Sequence, residues 1–367
     1  MKKINVTRTS LPPFEEYCSE IRRFWDSHIL TNMGEAHEAF REKLEQYLEI
    51  PHAVPFTNGH LALEAALEAF RLPAGAEVIT TPLSFVSTTH AIVRSGLTPV
   101  FCDVLEEDGT LDPDRLEGLL TPRTAAILPV HVYGHVCDVG RIGAFAERHG
   151  LKVLYDAAHA FGVRYRGVPA VRFGDAAVLS FHATKVFSTV EGGAVCTADA
   201  TLLQALEDSK NFGIRDEESC AAVGGNAKMS EFQAAMGLCN LRRVDADIAR
   251  RREHAAHYRA LLSGRPGLRL PAPREGVESN GAYFPVVFDG RAARDAAYAR
   301  LETIGVHARK YFYPLIPDLA CYAGTPVAAR ADVPAARRFA EGVLCLPLYP
   351  ELTEEEVEKI AATAARS

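Results

Sequence analysis

Residues 77–104 read EVITTPLSFVSTTHAIVRSGLTPVFCDV. Two short apolar runs, EVITTP and TPVFCDV, lie on either side of FVSTTHAIVRSG, whose apolar residues have helical spacing. Strands that are apolar along their whole length and alternate with helices are typical of a parallel sheet covered on both faces. This stretch therefore predicts an α/β fold.

The same alternation continues on both sides of this stretch, between residues 53 and 198. Helical patterns such as HLALEAALEAF and DVGRIGAFAERHG separate five further apolar runs, which read AVPFT, TAAILPVHV, LKVLYDAA, AAVLSFHA and GGAVCTA. We therefore expect a mostly parallel seven-stranded sheet that is flanked by helices.

The alternation ends near residue 200, and this change suggests how the chain is divided into domains. Residues 1–30 contain the Pro-stiffened LPPFEEY and the helical pattern FEEYCSEIRRFWDS, and we interpret them as an N-terminal arm. We assign residues 31–240 to a large domain that contains the sheet. Residues 241–367 contain shorter elements, such as AYFPVVF and ARDAAYARLETIG, and predict a smaller C-terminal α+β domain.

The composition of the 367 residues is that of a globular protein, with 48% hydrophobic and 24% charged residues. The formal net charge of -7 argues against a dedicated nucleic-acid-binding protein, because such proteins are usually basic. No apolar run approaches the roughly 18 residues that span a bilayer, and MKKINVTRTS lacks the apolar stretch of a signal peptide. The eight cysteines are scattered without a CxxC pair, so we expect reduced thiols in a cytoplasmic protein.

Polar residues follow the predicted strands at the edge where open α/β sheets bind their ligands. Five strand ends bring such residues together, and these residues are Asn58, Gly59 and His60; Ser84 and Phe85; His131, Tyr133 and His135; Asp156 and His159; and Ser180, His182 and Lys185. Their convergence predicts a ligand site at this edge of the sheet.

Three of these strand ends carry a chemical argument of their own. Gly59 and His60 begin a helix whose free N–H groups suit a phosphate, although a simple helix cap by Asn58 explains the same residues. Asp156 ends a buried strand, where a carboxylate needs a cationic partner or hydrogen bonds. A protonated pyridine nitrogen is one such partner, and a helix cap or a salt bridge within the protein is the alternative. Lys185 lies in a semi-buried loop, where a lysine can form a Schiff base, although most loop lysines are solvated.

The segment HVYGHVCD carries four residues of types that ligate metals, namely His131, His135, Cys137 and Asp138. Two zinc-binding histidines on a helix recur at positions i and i+4 of one face. Here a glycine and the preceding strand favour a turn instead of a helix, so we expect no metal site.

Taken together, the segments resemble the DegT/DnrJ/EryC1/StrS family of sugar aminotransferases, which have fold type I and depend on pyridoxal 5′-phosphate (PLP). The similar segments follow the family's order over residues 25 to 350, and they are TNGHLALEAAL, EVITTPLSFVSTTHAIVRSGLTPVFCDV, TPRTAAILPVHVYGHVCDV, DAAHAFG, SFHATKVFSTVEGGAV and GGNAKMSEFQAAMGLCNL. LPLYPELTEEEV is similar to the family's C-terminal block. The resemblance therefore implies PLP as the cofactor.

The resemblance also implies a role for each of several residues. Lys185 would form the Schiff base with PLP and act as catalytic base and acid, and Asp156 would pair with the protonated ring nitrogen. His159 would lie close to the ring and its phenolic oxygen, and Phe85 would stack on the ring. Ser180 would donate a hydrogen bond to the phosphate.

Four more residues receive roles in the same way. The N–H groups of Gly59 and His60 would complete the phosphate site, although the family usually has Thr where this chain has His60. Asn226, in GGNAKMSE, matches an asparagine that reaches the phosphate of the neighbouring subunit, so the resemblance implies a homodimer with shared active sites. Tyr313, in KYFYPL, matches a region that contacts the sugar in similar enzymes.

The implied reaction is a ping-pong transfer of an amino group from an amino acid, usually L-glutamate, to a nucleotide-linked keto-deoxy sugar. SFHATK, EGGAV, YDAAHAFG and INVTRTSLPPFEEY are most like the branch that makes dTDP-4-amino-4,6-dideoxyglucose from dTDP-4-keto-6-deoxyglucose, a sugar that we expect to serve a lipopolysaccharide O-antigen. A 3-keto sugar or a UDP-linked sugar is the alternative substrate. The deoxygenating relatives have His where this chain has Lys185, so transamination is favoured.

Two other classes of protein share parts of this pattern. A non-catalytic PLP-binding regulator usually carries a basic DNA-binding module, and neither end of the sequence predicts a basic helix-turn-helix. A structural α/β protein would bind no cofactor and would lack the absorbance band of a lysine-bound PLP. An absorbance band from bound cofactor that is lost on Lys185→Ala would distinguish the enzyme from such a structural protein.

Overall fold

A computed structural model of the chain describes residues 3–366. Within them the strands are β1 (Ile4–Asn5), β2 (His52–Phe56), β3 (Glu77–Thr80), β4 (Thr98–Phe101), β5 (Thr124–Leu128), β6 (Lys152–Asp156), β7 (Arg164–Tyr165), β8 (Val168–Pro169), β9 (Ala176–Ser180), β10 (Gly193–Thr197), β11 (Leu268–Arg269), β12 (Val277–Glu278), β13 (Phe284–Phe288), β14 (Val306–His307) and β15 (Val343–Leu346). The α-helices are α1 (Phe14–Ile21), α2 (Phe24–Ser27), α3 (Glu35–Leu48), α4 (Gly59–Ala69), α5 (Ser87–Arg94), α6 (Val139–His149), α7 (Ala200–Lys210), α8 (Glu231–Leu241), α9 (Val244–Leu262), α10 (Arg291–Thr303), α11 (Pro326–Ala329), α12 (Pro334–Gly342) and α13 (Glu354–Ala364).

Seven strands form the central sheet in the order β2-β10-β9-β6-β5-β3-β4. Neighbouring strands are parallel except at β10, which pairs antiparallel with both β2 and β9. The strands are buried along nearly their whole length because helices cover both faces of the sheet. The predicted mostly parallel seven-stranded sheet is confirmed.

The stretch 77–104 folds as the predicted strand–helix–strand unit, with β3 and β4 parallel and α5 between them. Val78 packs with the helices of one face and Ile79 with those of the other, as the two-residue period of a strand requires. Residues 81–86 are irregular and precede α5. This segment lies at the carboxyl end of β3, so its side chains reach the edge where the candidate site lies.

The helices form two layers, with α4, α5 and α7 on one face of the sheet and α3, α6 and α8 on the other. Helix α6 shows why these segments are helical. It buries Val139, Ile142 and Phe145 at helical spacing against the sheet. The carboxylate of Asp138 accepts the N–H of Arg141 and so caps its first turn.

The C-terminal part of the chain has its own three-stranded antiparallel sheet, in the order β11-β13-β15. Helices α9, α10 and α13 pack on this sheet through a separate apolar cluster. Strand β1 from the start of the chain pairs in parallel with β14. The domain limits at residues 30 and 240 stay predictions.

Two helical patterns in the sequence are interrupted in the structure. The apolar residues of the stretch 230–264, SEFQAAMGLCNLRRVDADIARRREHAAHYRALLSG, have helical spacing throughout, but the stretch contains two helices, because α8 ends at Leu241 and α9 begins at Val244. These two apolar residues are three positions apart, so the apolar pattern continues across the break. The pattern of residues 14–27 likewise contains α1 and α2. Within residues 3–366, no helix has the length and apolar character needed to cross a membrane.

Candidate active site

A cavity of about 510 Å³ opens at the carboxyl ends of the central strands. Its lining includes ten of the residues that the sequence singled out, and these are Asn58, Gly59, His60, Ser84, Phe85, Asp156, His159, Ser180, His182 and Lys185. Topology explains this convergence, because the parallel strands β3, β6 and β9 end at one edge.

Asp156 ends β6, and only 5% of its surface is exposed. Its Oδ2 accepts a hydrogen bond of 2.7 Å from the hydroxyl of Thr88, and its Oδ1 accepts one of 3.1 Å from the N–H of Ala158. Burial raises the pKa of Asp156, whereas these two donors and the charge of Lys185 lower it. The cavity therefore contains a buried carboxylate that two donors hold in place and that can stabilise a cation.

Lys185 lies in the loop that follows β9, and its side chain lines the same cavity. Its backbone N–H donates to the carbonyl of His182 at 2.9 Å, which fixes the loop. Burial lowers the pKa of Lys185 to about 8, while Asp156 acts in the opposite direction. A pKa near 8 leaves about a tenth of this amine neutral at pH 7, so Lys185 can act as a nucleophile and as a base.

His159 is buried beside these two residues and is held in one tautomer. Its Nδ1 accepts the backbone N–H of Tyr133 at 3.0 Å, so its proton resides on Nε2. Burial lowers the pKa of His159 well below its usual value, and the charge of Lys185 lowers it further. His159 is therefore a neutral hydrogen-bond donor in the cavity.

The start of α4 also lines the cavity. Asn58 caps the helix by accepting the N–H of Leu61 at 2.9 Å. In the described part of the chain, no acceptor faces the N–H groups of Gly59 and His60. A Cβ on Gly59 would lie 3.0 Å from the Cβ of Ser180, so this serine sits directly beside the free N–H groups. Such a helix start is suited to a phosphate.

The ring of His60 is already engaged on both sides. Its Nδ1 lies 2.8 Å from the hydroxyl of Ser87, and its Nε2 lies 3.0 Å from a carboxylate oxygen of Glu64. These contacts leave the backbone N–H of His60 as the group that can reach an anion at the helix start.

Gly193 in β10 packs directly against the start of α4. A Cβ at this position would lie 2.7 Å from the backbone of Gly59. We expect Gly193→Ala to displace the start of α4, to destabilise the protein by about 1–3 kcal/mol and to weaken PLP binding. Thermal denaturation and PLP titration measure these effects.

The control is Gly143→Ala in α6, where a Cβ meets nothing within 4 Å and alanine is expected to stabilise the helix by about 0.5–1 kcal/mol. Equal melting temperatures for the two variants would contradict the packing argument.

Two of the residues that received a role from the resemblance, Asn226 and Tyr313, do not line this cavity, and neither do His131, Tyr133 and His135 of the third strand end. Asn226 is exposed, and its side-chain oxygen accepts a hydrogen bond of 2.6 Å from Nζ of Lys228. Tyr313 lines a second cavity of about 520 Å³, where the guanidinium of Arg294 lies 4.5 Å from its ring centre. The roles given to both residues stay predictions.

The second cavity adjoins the first, and the two share Ser84, Phe85, Tyr311 and Phe312. Its lining also includes the cationic or titratable side chains of His307, Arg309 and Lys310. Lys310 is paired with Asp295 at 2.6 Å, whereas within residues 3–366 no carboxylate pairs with Arg309. Arg309 is exposed, and its guanidinium carbon lies over the ring of Tyr311, 5.0 Å from the ring centre.

The polar residues of HVYGHVCD bond to the backbone. Nδ1 of His131 accepts the N–H of Cys137 at 3.2 Å, and the thiol of Cys137 donates to the carbonyl of Val130 at 3.1 Å. Nδ1 of His135 lies 2.9 Å from the carbonyl of Asp108. Among the described residues, no three His, Cys, Asp or Glu side chains are grouped as a metal site requires.

Sequence reasoning missed several residues of the site. Tyr283, Tyr311 and Phe312 line the first cavity, although they follow Asp156 by more than 120 positions in AYFPVVF and KYFYPL. Their aromatic clustering was the only signal. Thr88 was missed because a threonine in the first turn of a helix carries no signal of its own.

The cavity fits PLP in three respects. A buried carboxylate is available for a ring nitrogen, and unpaired N–H groups are available for a phosphate. The close contacts of Gly59 with Ser180 and of Gly193 with Gly59 show that side chains there would displace the start of the helix that carries these N–H groups. Phe85, 60% exposed, offers a face on which an aromatic ring can stack.

Comparisons with known proteins identify the family that the chain resembles. Residues 14–364 match the DegT/DnrJ/EryC1/StrS aminotransferase family. A dTDP-4-amino-4,6-dideoxy-D-glucose transaminase from Escherichia coli is 41% identical over 364 residues, which cover 98% of this chain and 97% of that protein. The crystal structure of DesI in the presence of its TDP-sugar product superimposes with a TM-score of 0.93 at 36% identity, covering 100% of this chain and 93% of that chain.

A sugar aminotransferase from Streptococcus pneumoniae, Spr1654 in its PLP form, is also similar in structure. Its TM-score is 0.91 at 25% identity, and the match covers 99% of this chain and 98% of that chain. The same protein is known in a PMP form, with a TM-score of 0.91.

Proposed function

Because the chain belongs to the DegT/DnrJ/EryC1/StrS aminotransferase family, we propose that it transfers the amino group of L-glutamate to dTDP-4-keto-6-deoxyglucose and so forms dTDP-4-amino-4,6-dideoxyglucose. The observation that carries this proposal is the meeting of Lys185 and Asp156 in one cavity beside a helix start that suits a phosphate. PLP is the cofactor of this enzyme family, and the fit of the cavity supports its place here.

PLP, when bound, supplies an aldehyde that exchanges amines and a protonated ring that withdraws electrons from the carbon losing its proton. Asp156 would stabilise the positive charge of the ring nitrogen. His159 would donate a hydrogen bond from Nε2 to the bound cofactor, and the N–H groups of Gly59 and His60 would hold its phosphate.

Lys185 moves the protons of the reaction. Its Nζ takes the α-proton of the amino donor as a general base and then returns a proton as a general acid. In the second half of the reaction the same atom delivers a proton to the sugar carbon that receives the amine. The pKa near 8 lets this amine perform both tasks at physiological pH.

The second cavity supports the proposal that the substrate carries phosphate groups. It shares its wall with the PLP cavity, so a sugar that reaches Lys185 can extend its nucleotide into it. Arg309 has no carboxylate partner among residues 3–366 and is available for a diphosphate. The aromatic rings of Tyr298 and Tyr313 line the same cavity. This position of Tyr313 suits the contact with the substrate that the family resemblance implied.

We expect Arg309→Ala to raise KM for the nucleotide sugar about five- to tenfold, because a charge-assisted hydrogen bond to phosphate is lost, and to leave KM for L-glutamate unchanged. Steady-state kinetics with each substrate varied in turn measures this. Arg166→Ala is the matched control, since Arg166 is also exposed and also stacks on a tyrosine, Tyr165, at 5.2 Å. An equal rise in both KM values would argue against a diphosphate at Arg309.

The substrate itself is tested by a panel assay. The purified enzyme with PLP and L-glutamate is offered dTDP-4-keto-6-deoxyglucose, its 3-keto isomer and the UDP-linked 4-keto sugar. We expect kcat/KM to be highest for the first by at least about tenfold, with the amine found at C4 by NMR. Amination at C3, or a preference for the UDP sugar, would replace the proposal with one of its two alternatives.

We also propose a homodimer whose two active sites are shared. Large apolar side chains are exposed on the N-terminal arm and on the segment that leads to Asn226, including Phe14 (75% exposed) and Trp25 (66% exposed). Exposed apolar surface of this kind is typical of a protein interface. Asn226 lies outside the cavity of its own chain, and its oxygen accepts a hydrogen bond from Lys228, which leaves its amide N–H groups available to donate to the phosphate of a second copy.

Subunit mixing tests the shared site. Dimers of Lys185→Ala alone and of Asn226→Asp alone are expected to be impaired. A mixed dimer should regain up to half the normal activity, because one of its two sites then carries neither substitution. Activity that stays at the sum of the two impaired samples would mean that Asn226 serves its own chain or none.

We further propose that the enzyme is cytoplasmic and that its product enters a lipopolysaccharide O-antigen. All eight cysteines are free thiols, as is usual in a reducing compartment. Deletion of the gene is expected to remove a 4-amino-4,6-dideoxyhexose from the polysaccharide, which sugar analysis of the purified O-antigen measures.

A further inference from the structure

Thr88, in the first turn of α5, is completely buried and joins this helix to the end of β6. Its hydroxyl donates to Oδ2 of Asp156 at 2.7 Å and lies 2.7 Å from Oγ of Ser84. An ionised carboxylate can only accept hydrogen bonds, so the single proton of Thr88 is used on Asp156. Ser84 must then donate to Thr88, and the direction of this hydroxyl chain is fixed.

The hydroxyl chain matters because Asp156 is nearly without water. One oxygen of its carboxylate receives the N–H of Ala158, and the other receives the hydroxyl of Thr88. A buried charge that loses one of its donors is strongly disfavoured, because no water replaces the lost hydrogen bond. The donors also fix the plane of the carboxylate and therefore the direction of its remaining lone pairs.

Resting on the proposed function, we infer that Thr88 is a positioning residue for the cofactor: its hydroxyl, oriented by Ser84, keeps Asp156 anionic and directed at the ring nitrogen of PLP. Thr88 contacts neither cofactor nor substrate in this role and acts through Asp156 alone. The role is specific to the ring nitrogen, and this separates it from simple packing of α5 against β6.

A pair of cofactors measures that specificity. PLP has the ring nitrogen, whereas 1-deazapyridoxal 5′-phosphate has a C–H in its place and is otherwise the same shape. The ratio of their dissociation constants for the full-length apoprotein therefore reports the Asp156–nitrogen interaction. Packing defects and phosphate binding affect both cofactors equally and cancel from this ratio.

The test compares the wild-type protein with Thr88→Val, which keeps the side-chain shape without the donor, and Thr88→Ser, which keeps the donor. We expect the preference of the wild type for PLP over its deaza analogue to fall about tenfold in Thr88→Val and to stay within about twofold in Thr88→Ser. An equal loss of affinity for both cofactors in Thr88→Val, or no loss, would overturn the inference.

A second variant covers the case in which Thr88→Val does not fold. Ser84→Ala leaves the hydroxyl of Thr88 in place but removes the group that orients it, so we expect the preference to fall about threefold. An unchanged preference in Ser84→Ala would also count against the inference. Failure of the proposed function looks different, because the wild-type protein itself would then bind neither cofactor.

Discussion

Replacing Lys185 with alanine is expected to lower the rate of amine transfer by at least about 10⁴-fold, because both the covalent attachment and the proton transfers depend on its Nζ. The absorbance band of lysine-bound PLP should also disappear. Glutamate-dependent formation of the amino sugar and the absorbance spectrum of the protein measure the two effects. Lys185→Arg, which keeps the positive charge without a nucleophilic amine, is expected to be as inactive as the alanine variant.

The matched control is Lys359→Ala, which removes an exposed lysine of α13 far from the cavity and should leave both readouts unchanged. The pH dependence adds a second criterion. Only the neutral amine attacks an aldehyde, so the rate at which the apoprotein takes up PLP should rise with pH and level off above a midpoint near 8. A midpoint near 10.5, the value of an ordinary lysine, would contradict the buried environment of Lys185.

Asp156→Asn is expected to reduce the rate of amine transfer by about 10²- to 10³-fold. The neutral amide cannot stabilise a positive charge on the ring nitrogen, and this charge is what stabilises the transition state. The same change should remove most of the preference for PLP over its deaza analogue. Kinetics and cofactor titration measure the two effects, which should occur together.

Asp103→Asn is a suitable control for the loss of a buried carboxylate. Asp103 is 3% exposed and accepts the N–H groups of Ala335 and Ala336 at the start of α12, away from the PLP cavity. We expect this change to lower the melting temperature while the preference for PLP is kept. If Asp156→Asn lowered stability alone, in the manner of Asp103→Asn, the carboxylate would be structural and the proposed mechanism wrong.

The sequence predicted the sheet because its strands are buried on both faces and are therefore apolar without interruption, as Val78 and Ile79 illustrate. It predicted the PLP cavity for a related reason. Parallel strands place their next residues at one edge, so Asp156 and Lys185 meet although 29 positions separate them.

The second cavity was not predictable in the same way. A large part of its wall is built by residues 308–314, which follow β14 in an irregular path and belong to no strand end of the central sheet. The break between α8 and α9 was hidden as well, because Leu241 and Val244 continue the apolar spacing. Thr88 was hidden because its function depends on a contact with Asp156, 68 positions away.

The parallel pairing of β1 with β14 also determines the order in which the enzyme can be completed during its synthesis. Strand β1 has to wait for a partner roughly 300 positions later, at Val306 and His307, and contacts between such distant parts of a chain form slowly. His307 belongs to the lining of the second cavity, and Tyr311 and Phe312, which line both cavities, follow it closely. The strand ends that carry Asp156 and Lys185 can therefore assemble while translation continues, whereas the wall that the two cavities share is finished only after β14 has been made and has paired with β1.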